Sequence, residues 1–386
     1  MKLKFFFKNF DLKSKSKEKK KLLNILKNIK ETNKPSFLES FNHLYKYSFD
    51  KNLLNKYKKF QNINIFGMGG SSLGSKAIYN FLEAKIKKKV RFYENLNLKK
   101  EVNKKSLNII ISKSGNTLET VVNFNNKFNK NNKNIFISEN KNNYLRKLAD
   151  KLKSDVVDHK NFIGGRFSVM SEVGMLPAKL FGLNEKKFKK YNKLIINNNF
   201  ISRLIENVSG VYQNLKNKKC NSVILNYDTN SEDLFKWYQQ LVSESLGKNS
   251  KGIMPIISSM PKDNHSLLQL YLSGFNSNFY TFFITKEKKD KKLKSDLLFD
   301  NFSILKKKTT FDILNSQRKA TENIFKKKKI PFRSFYIQNR DEETLGELFC
   351  FFTLEVILLS HLLKVNPLDQ PEVELIKQET FKILND

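Results

Sequence analysis

The sequence predicts an α/β protein of two parallel-sheet units, each sheet covered by helices on both faces, closed by a C-terminal helical arm. Three observations carry this. The chain has 386 residues, more than one core of ordinary size holds, so two units are expected. Short apolar strands alternate with helices along its first half, the pattern of a parallel sheet. The alternation then stops and restarts at Ser222.

Taken in order, positions 12–31 place Leu22, Leu23, Leu26 and Ile29 at helical spacing with lysines opposite, an amphipathic helix expected to pack on the first unit. Pro35 marks a break. Strands are expected at 63–66, 107–112 and 134–138, and helices at 72–85, 116–128, 142–152 and 173–181. The Asn- and Lys-rich stretch 186–209 reads as a connector. Strands follow at 222–226, 278–285 and 330–338, and helices at 232–246, opened by acidic residues, at 345–364 and from about Glu372. The expected division is an N-terminal helical segment 1–45, units 46–190 and 200–345, and C-terminal helices 346–386.

Apolar residues make up 39% of the chain and aromatic ones 12%, enough for a globular core. The start, MKLKFFFKNF, has a three-Phe apolar run, short of the roughly 7–15 residues of an export signal. No stretch reaches the ~18 uncharged apolar residues of a membrane span; 345–363 contains Glu347, Glu355 and His361 and reads as a buried helix. Cys220 and Cys350 lack metal-type spacing and read as free thiols in a reducing, cytoplasmic setting. The net charge of +35 is mostly lysine. Its runs at 13–21, 286–294 and 326–329 adjoin no nucleic-acid motif, and joint enrichment in Lys, Asn, Ile and Phe fits an AT-rich coding bias. Such a surface still draws in anionic substrates.

Two turns carry the first chemical signal. Gly67-Met68-Gly69-Gly70-Ser71-Ser72 joins a strand to a helix; small residues let backbone N–H groups approach an anion, and the helix start favours negative charge. It lacks the Gly-Lys-Ser/Thr of a P-loop and the third glycine of a dinucleotide fingerprint. Alone it also fits a plain tight turn. Ser112-Lys113-Ser114-Gly115-Asn116-Thr117 makes a second strand-to-helix turn. Two hydroxyl-rich turns in one sheet share its carboxyl edge, where such folds bind ligands. Together they describe a cradle for a phosphate monoester.

Three further stretches look chemical, and each has a plain alternative. Arg166 follows Gly164 and Gly165, as a surface arginine also could. Gln240 and Glu244 share one helix face at i, i+4, just before Gly247; a solvated pair fits too. His265 opens an apolar helix at 267–272, where the dipole keeps an imidazole neutral, or where it merely caps.

GMGGSSLGSKA, ISKSGNTLET, GGRFSVMSEVGMLPA, YQQLVSESLGK, NHSLLQLYLSG and VNPLDQPEVELIK, in this order from Gly67 to Lys377, resemble the glucose-6-phosphate isomerase family in its compact bacterial form. The resemblance implies two αβα sandwich units of the sugar-isomerase (SIS) type. It implies that Gly70, Ser71, Ser112, Lys113, Ser114 and Thr117 hold the sugar phosphate. Glu244 would move the proton between C1 and C2, and His265 would open the ring with Lys377 as a second ring-opening group. Arg166, beside Gly165, would stabilise the enediolate, while Gln240 and Gln370 orient hydroxyls. No cofactor or metal is implied, and neither a nucleic acid nor a membrane is an expected partner. A homodimer is implied, with His265 lent by the neighbouring subunit. Glu372 stands where the family has Gly and Asn116 where it often has Thr. A bifunctional phosphoglucose/phosphomannose isomerase is disfavoured by QQLVSESLGK and DQPEVE. A sugar-phosphate sensor would need no joint Glu244, His265 and Lys377, and a nucleic-acid binder rests on charge alone.

Overall fold

The structure, a computed structural model, describes residues 5–8, 10, 16–31, 36–96, 105–274, 276–286 and 290–386. The break at Pro35, positions 12–15 of the first helix and part of the lysine run at 286–294 lie outside them. Strand β1 (Phe5–Lys8) and helix α1 (Ser16–Glu31) come first. The first unit runs α2 (Lys51–Tyr57), β2 (Asn62–Phe66), α3 (Leu73–Phe81), β3 (Lys89–Tyr93), β4 (Leu107–Ile111), α4 (Leu118–Asn126), β5 (Lys133–Glu139), α5 (Tyr144–Lys151), β6 (Asp155–His159) and α6 (Glu172–Leu180). Helices α7 (Glu185–Phe188), α8 (Tyr191–Leu194) and α9 (Asn198–Lys216) lead to the second. That unit runs β7 (Asn221–Asn226), α10 (Glu232–Leu246), β8 (Met254–Ser259), α11 (Leu268–Ser273), β9 (Asn278–Thr285), α12 (Thr310–Lys327) and β10 (Phe332–Ile337). Helices α13 (Glu342–Leu363) and α14 (Pro371–Asn385) end the chain.

The described strands form two five-stranded sheets, ordered β3-β2-β4-β5-β6 and β8-β7-β9-β10-β1. All neighbours are parallel except β1, which runs antiparallel to β10. Central strands such as β4, Leu-Asn-Ile-Ile-Ile, are buried on both faces, which is why they read as unbroken apolar runs. The expected two αβα units are present, with helices on both sides of each sheet.

One expectation is corrected and another sharpened. Helix α1 does not pack on the first unit: it lies on α9 and α13, with Leu22 and Leu26 buried and Glu18 paired to Lys216. The stretch 186–209 joins the two units as mostly helix rather than as an open linker. Phe200, Leu204, Ile205, Val208 and Val211 give α9 an apolar stripe that the core buries, and this packing outweighs an Asn-rich composition.

Helix α13 is the axis of the molecule, with nearly every side chain buried. It is long and apolar enough to cross a membrane by composition, and here it is a core helix. It holds α10 through Trp237 on Phe349 and Tyr238 on Phe352, ring centroids 4.8 and 4.7 Å apart. Cys350 is buried in it; Cys220 is exposed.

Candidate active site

The two hydroxyl turns close the carboxyl ends of β2 and β4, neighbours in the first sheet. After β2 the chain makes a 3-10 turn at Gly69–Ser71 before α3. Gly69 has φ +53, and a Cβ there would meet the Gln240 amide at 2.7 Å. A Cβ on Gly70 would strike the Gly165 carbonyl carbon at 2.2 Å. Glycine is therefore required for this turn to touch both α10 and the Arg166 segment. After β4, the Ser112 hydroxyl lies 2.7 Å from that of Thr117 and 3.4 Å from that of Ser114. Gly115, φ +71, packs against Asn143. Asn116 accepts from the Tyr144 amide at 3.0 Å, so this departure from the family pattern braces α5.

Lys113 turns its side chain aside. Its ammonium donates to the Asn161 carbonyl at 2.8 Å and pairs with Glu139 at 3.4 Å. Burial alone would raise the Glu139 carboxyl, but its bond from Lys141 and the Lys113 charge outweigh that and hold it low. The Ser72 hydroxyl likewise donates to Glu94 at 2.7 Å, away from the cradle.

Glu244 sits in the last turn of α10, which ends at Gly247. Gln240, one turn earlier, donates to its Oε1 at 2.8 Å. Arg166 donates to its Oε2 at 3.0 Å. Arg166 is 2% exposed on a 3-10 turn at Gly165–Met170. Burial lowers its guanidinium and the Glu244 charge opposes that shift.

Every N–H of Arg166 is engaged. Nε donates to Ser245 Oγ, Nη1 to Glu244 and Gln370, and Nη2 to the Pro367 and Asp369 carbonyls. A guanidinium has five donors, so the arginine ties Glu244 to the strap 366–370 that joins α13 to α14. Lys248 adds a 2.7 Å pair to Asp369, and Lys251 donates to the Leu363 carbonyl at 2.9 Å. Glu244, Lys248, Gln370 and Glu372 line a cleft of about 760 Å³. Glu372 takes ordinary helical backbone in the first turn of α14, so the missing glycine imposes no strain.

The structure thus brings together Gly70, Ser71, Gly165, Arg166, Gln240, Glu244 and Gln370 beside the cradle of Ser112, Ser114 and Thr117. Two expected residues stand apart. His265 lies in a turn after β8 that Asp263 organises through Ser258, Ser259 and Ser266, and its side chain is exposed. Lys377 is on α14, which buries no residue, and pairs with Glu374 at 3.1 Å. Ser245, Glu94, Glu139 and Lys248 are supports that the sequence does not single out. Ser245 and Lys248 lie inside the SESLGK motif, one on either side of a helix end, so the motif itself was the available signal.

A glycine turn packed against Gln240 and Gly165, beside a paired carboxylate and guanidinium on two αβα units, fits an aldose–ketose isomerase of the sugar-isomerase fold. The phosphoglucose isomerase family model matches residues 54–386, and the chain belongs to that family. It is 32% identical over 360 residues to the glucose-6-phosphate isomerase of Methanocaldococcus jannaschii, covering 87% of this chain and 88% of that one. Among solved structures, a hypothetical protein from Thermus thermophilus superposes with TM-score 0.80 at 22% identity, over 96% of this chain and 94% of that one. A glucose-6-phosphate isomerase from Chlamydia trachomatis gives 0.76 at 16%, over 95% and 84%; at these identities the likeness is one of fold.

Proposed function

We propose that the protein interconverts glucose 6-phosphate and fructose 6-phosphate, with Glu244 as the base, in the cytoplasm. The observation that carries this is the Arg166–Glu244–Gln240 arrangement held against the Gly69–Ser71 turn. Hydroxyls of Ser71, Ser112, Ser114 and Thr117 take the phosphate, Lys113 contributes its backbone, and the grip fixes the sugar's C1–C2 end over α10. After ring opening, Glu244 takes the proton from C2 of the aldose and returns it to C1. The C1 oxygen gains negative charge as the proton leaves C2 and loses it by taking the proton of the C2 hydroxyl, whose oxygen becomes the ketose carbonyl. Arg166 meets that charge once Gln370, exposed at the strap, exchanges its bond for one to the sugar.

His265 and Lys377 are the proposed ring-opening groups. His265 reaches this site from a second copy in a homodimer. The exposed apolar side chains of α14, among them Leu375, Ile376, Phe381 and Leu384, support association, since such a face is costly in water. The proposed units span 46–190 and 200–345, between an N-terminal helical segment 1–45 and C-terminal helices 346–386.

A coupled assay with fructose 6-phosphate tests the reading. Glu244→Gln should lose about 10²–10⁴-fold in kcat, the worth of a general base, with KM little changed. An inert wild type, or a fully active variant, sinks it.

A further inference from the structure

The two sheets repeat one strand order: β3-β2-β4-β5 in the first is β8-β7-β9-β10 in the second. The loops after the first strand of each unit also match residue for residue. Strand β2 ends at Phe66 and a 3-10 turn spans Gly69–Ser71; β7 ends at Asn226 and a 3-10 turn spans Thr229–Ser231. In the first, the Ser71 amide donates to the Met68 carbonyl at 3.1 Å; in the second, the Ser231 amide donates to the Asp228 carbonyl at 2.9 Å. Register completes the match. Phe66 faces Ile110, and Asn226 faces Phe283. Ser112 and Thr285 each lie two residues beyond those partners. Ser231 and Thr285 are therefore the counterparts of Ser71 and Ser112, and Asp228 is the counterpart of Met68.

Both counterpart hydroxyls are already in use. Ser231 Oγ and Thr285 Oγ1 donate to one oxygen, Asp228 Oδ2, the latter at 2.7 Å. Arg340 Nη2 donates to Asp228 Oδ1 at 2.8 Å. Its guanidinium stacks 5.0 Å from the Phe81 ring centre at the end of α3. Asp228, Ser231 and Thr285 are all buried. Two hydroxyls and a guanidinium around one buried anionic group make an oxyanion site by chemistry.

We infer that the second unit carries a closed copy of the phosphate cradle, in which the Asp228 carboxylate stands where an anion would bind. The inference rests on reading the first cradle as a phosphate site. The closure has a consequence for the enzyme. A phosphomonoester held at the second edge would sit away from Glu244, and Asp228 prevents that capture. Removing the carboxylate leaves Ser231, Thr285 and Arg340 facing a space that suits a tetrahedral oxyanion, inorganic phosphate or sulfate.

The test counts inorganic phosphate bound per chain by equilibrium dialysis. Wild type should bind one, Asp228→Ala two, and Asp228→Asn, which keeps the space filled, one. Adding Arg340→Met to Asp228→Ala should return the count to one. Asp228→Ala binding no more than wild type overturns the inference, and so does Asp228→Asn gaining a site. Wild type at zero with Asp228→Ala at one would leave an anion site beneath Asp228 but remove the first-cradle reading, and with it the inference that this site is a copy of a phosphate cradle. Should Asp228→Ala fail to fold in chloride, its refolding yield in phosphate at equal ionic strength should rise about tenfold, a gain Asp228→Asn does not share. Equal yields in the two salts overturn it.

Discussion

Arg166 is held more tightly than a group waiting for substrate would need. Its five donors all have partners, and three of the five acceptors belong to the strap 366–370. It braces Glu244 against the strap, and in the proposed reaction its charge reaches the C1 oxygen only when Gln370 yields. Lysine carries one point of charge and cannot span such a fork. Arg166→Lys should therefore cost about 10²–10³-fold in kcat, the scale of losing a preorganised donor, read in the coupled assay; a loss under tenfold would mean the fork is dispensable. Lys189 braces the same region from behind. Its ammonium donates to the Met170 carbonyl at 2.6 Å, at the end of the Arg166 turn, and to the Ser40 carbonyl. It faces the Tyr45 and Tyr47 rings at 5.0 and 4.9 Å. Burial pulls it down to about 7, with Glu172 and Glu185 only partly opposing. Above pH 7 the folded chain releases this proton, while an unfolded lysine keeps it until roughly 10.4. Unfolding then takes up a proton, so this group's contribution to stability rises with pH across that window and is flat below it. In urea melts, the stability of wild type minus that of Lys189→Met should climb from pH 7 to 9.5 and stay level from 5.5 to 7. A level difference throughout would show that the ammonium stays charged in the fold.

At the scale of elements, α10 is the part that must not move, because it carries Gln240, Glu244 and Ser245 on its last turns. A buried polar group fixes it. Glu355 of α13 accepts from Tyr238 of α10 at 2.6 Å and from Arg333 and Asn207, and Arg333 and Glu355 are wholly buried. Removing one partner of such a pair strands the other charge, at about 3–5 kcal/mol. Glu355→Ala should lose that much in urea unfolding. A loss below about 1 kcal/mol would show that water reaches the pair. The sequence revealed α10 to the residue because its acidic start, apolar stripe and Gly247 stop all agree. It revealed β9 equally well, as an unbroken buried run. It concealed β3, Lys-Val-Arg-Phe-Tyr, and β6, Asp-Val-Val-Asp-His, since these sheet edges keep polar residues and show no apolar run. It concealed α12 as well, whose apolar residues are spread among lysines and asparagines. The site was legible where a motif carries its own chemistry, in the hydroxyl turns and the Gln240–Glu244 pair. The supports at Glu139 and Glu94 were not, because each acts on a residue more than 20 positions away in the chain.

At the scale of the whole molecule, the two units do different work with one architecture. The first keeps its sheet edge open with glycines and hydroxyls. The second closes the matching edge with Asp228 and carries Glu244, the proposed base, on the helix that follows. In the proposed reaction, the ring-opening side is the part that a single chain does not assemble. His265 is exposed on its turn, and α14 presents Val373, Leu375, Ile376, Phe381, Ile383 and Leu384 to solvent. A helix with that much exposed apolar surface gains by burial, at about 25 cal/mol per Å² covered. In the proposed homodimer a second copy supplies both the cover and His265. The expectation is tested by mixing two inactive proteins. Chains bearing His265→Ala and chains bearing Glu244→Gln, unfolded together and refolded, should form mixed dimers in which one of the two sites holds an intact Glu244 and an intact His265. With random pairing about half the dimers are mixed and each has one good site, so activity should return to about a quarter of wild type. Each variant refolded alone should stay inactive. No recovery, with mixed dimers demonstrated by differential tags, would place His265 and Glu244 in one chain's own site and require the 261–266 turn to swing toward α10.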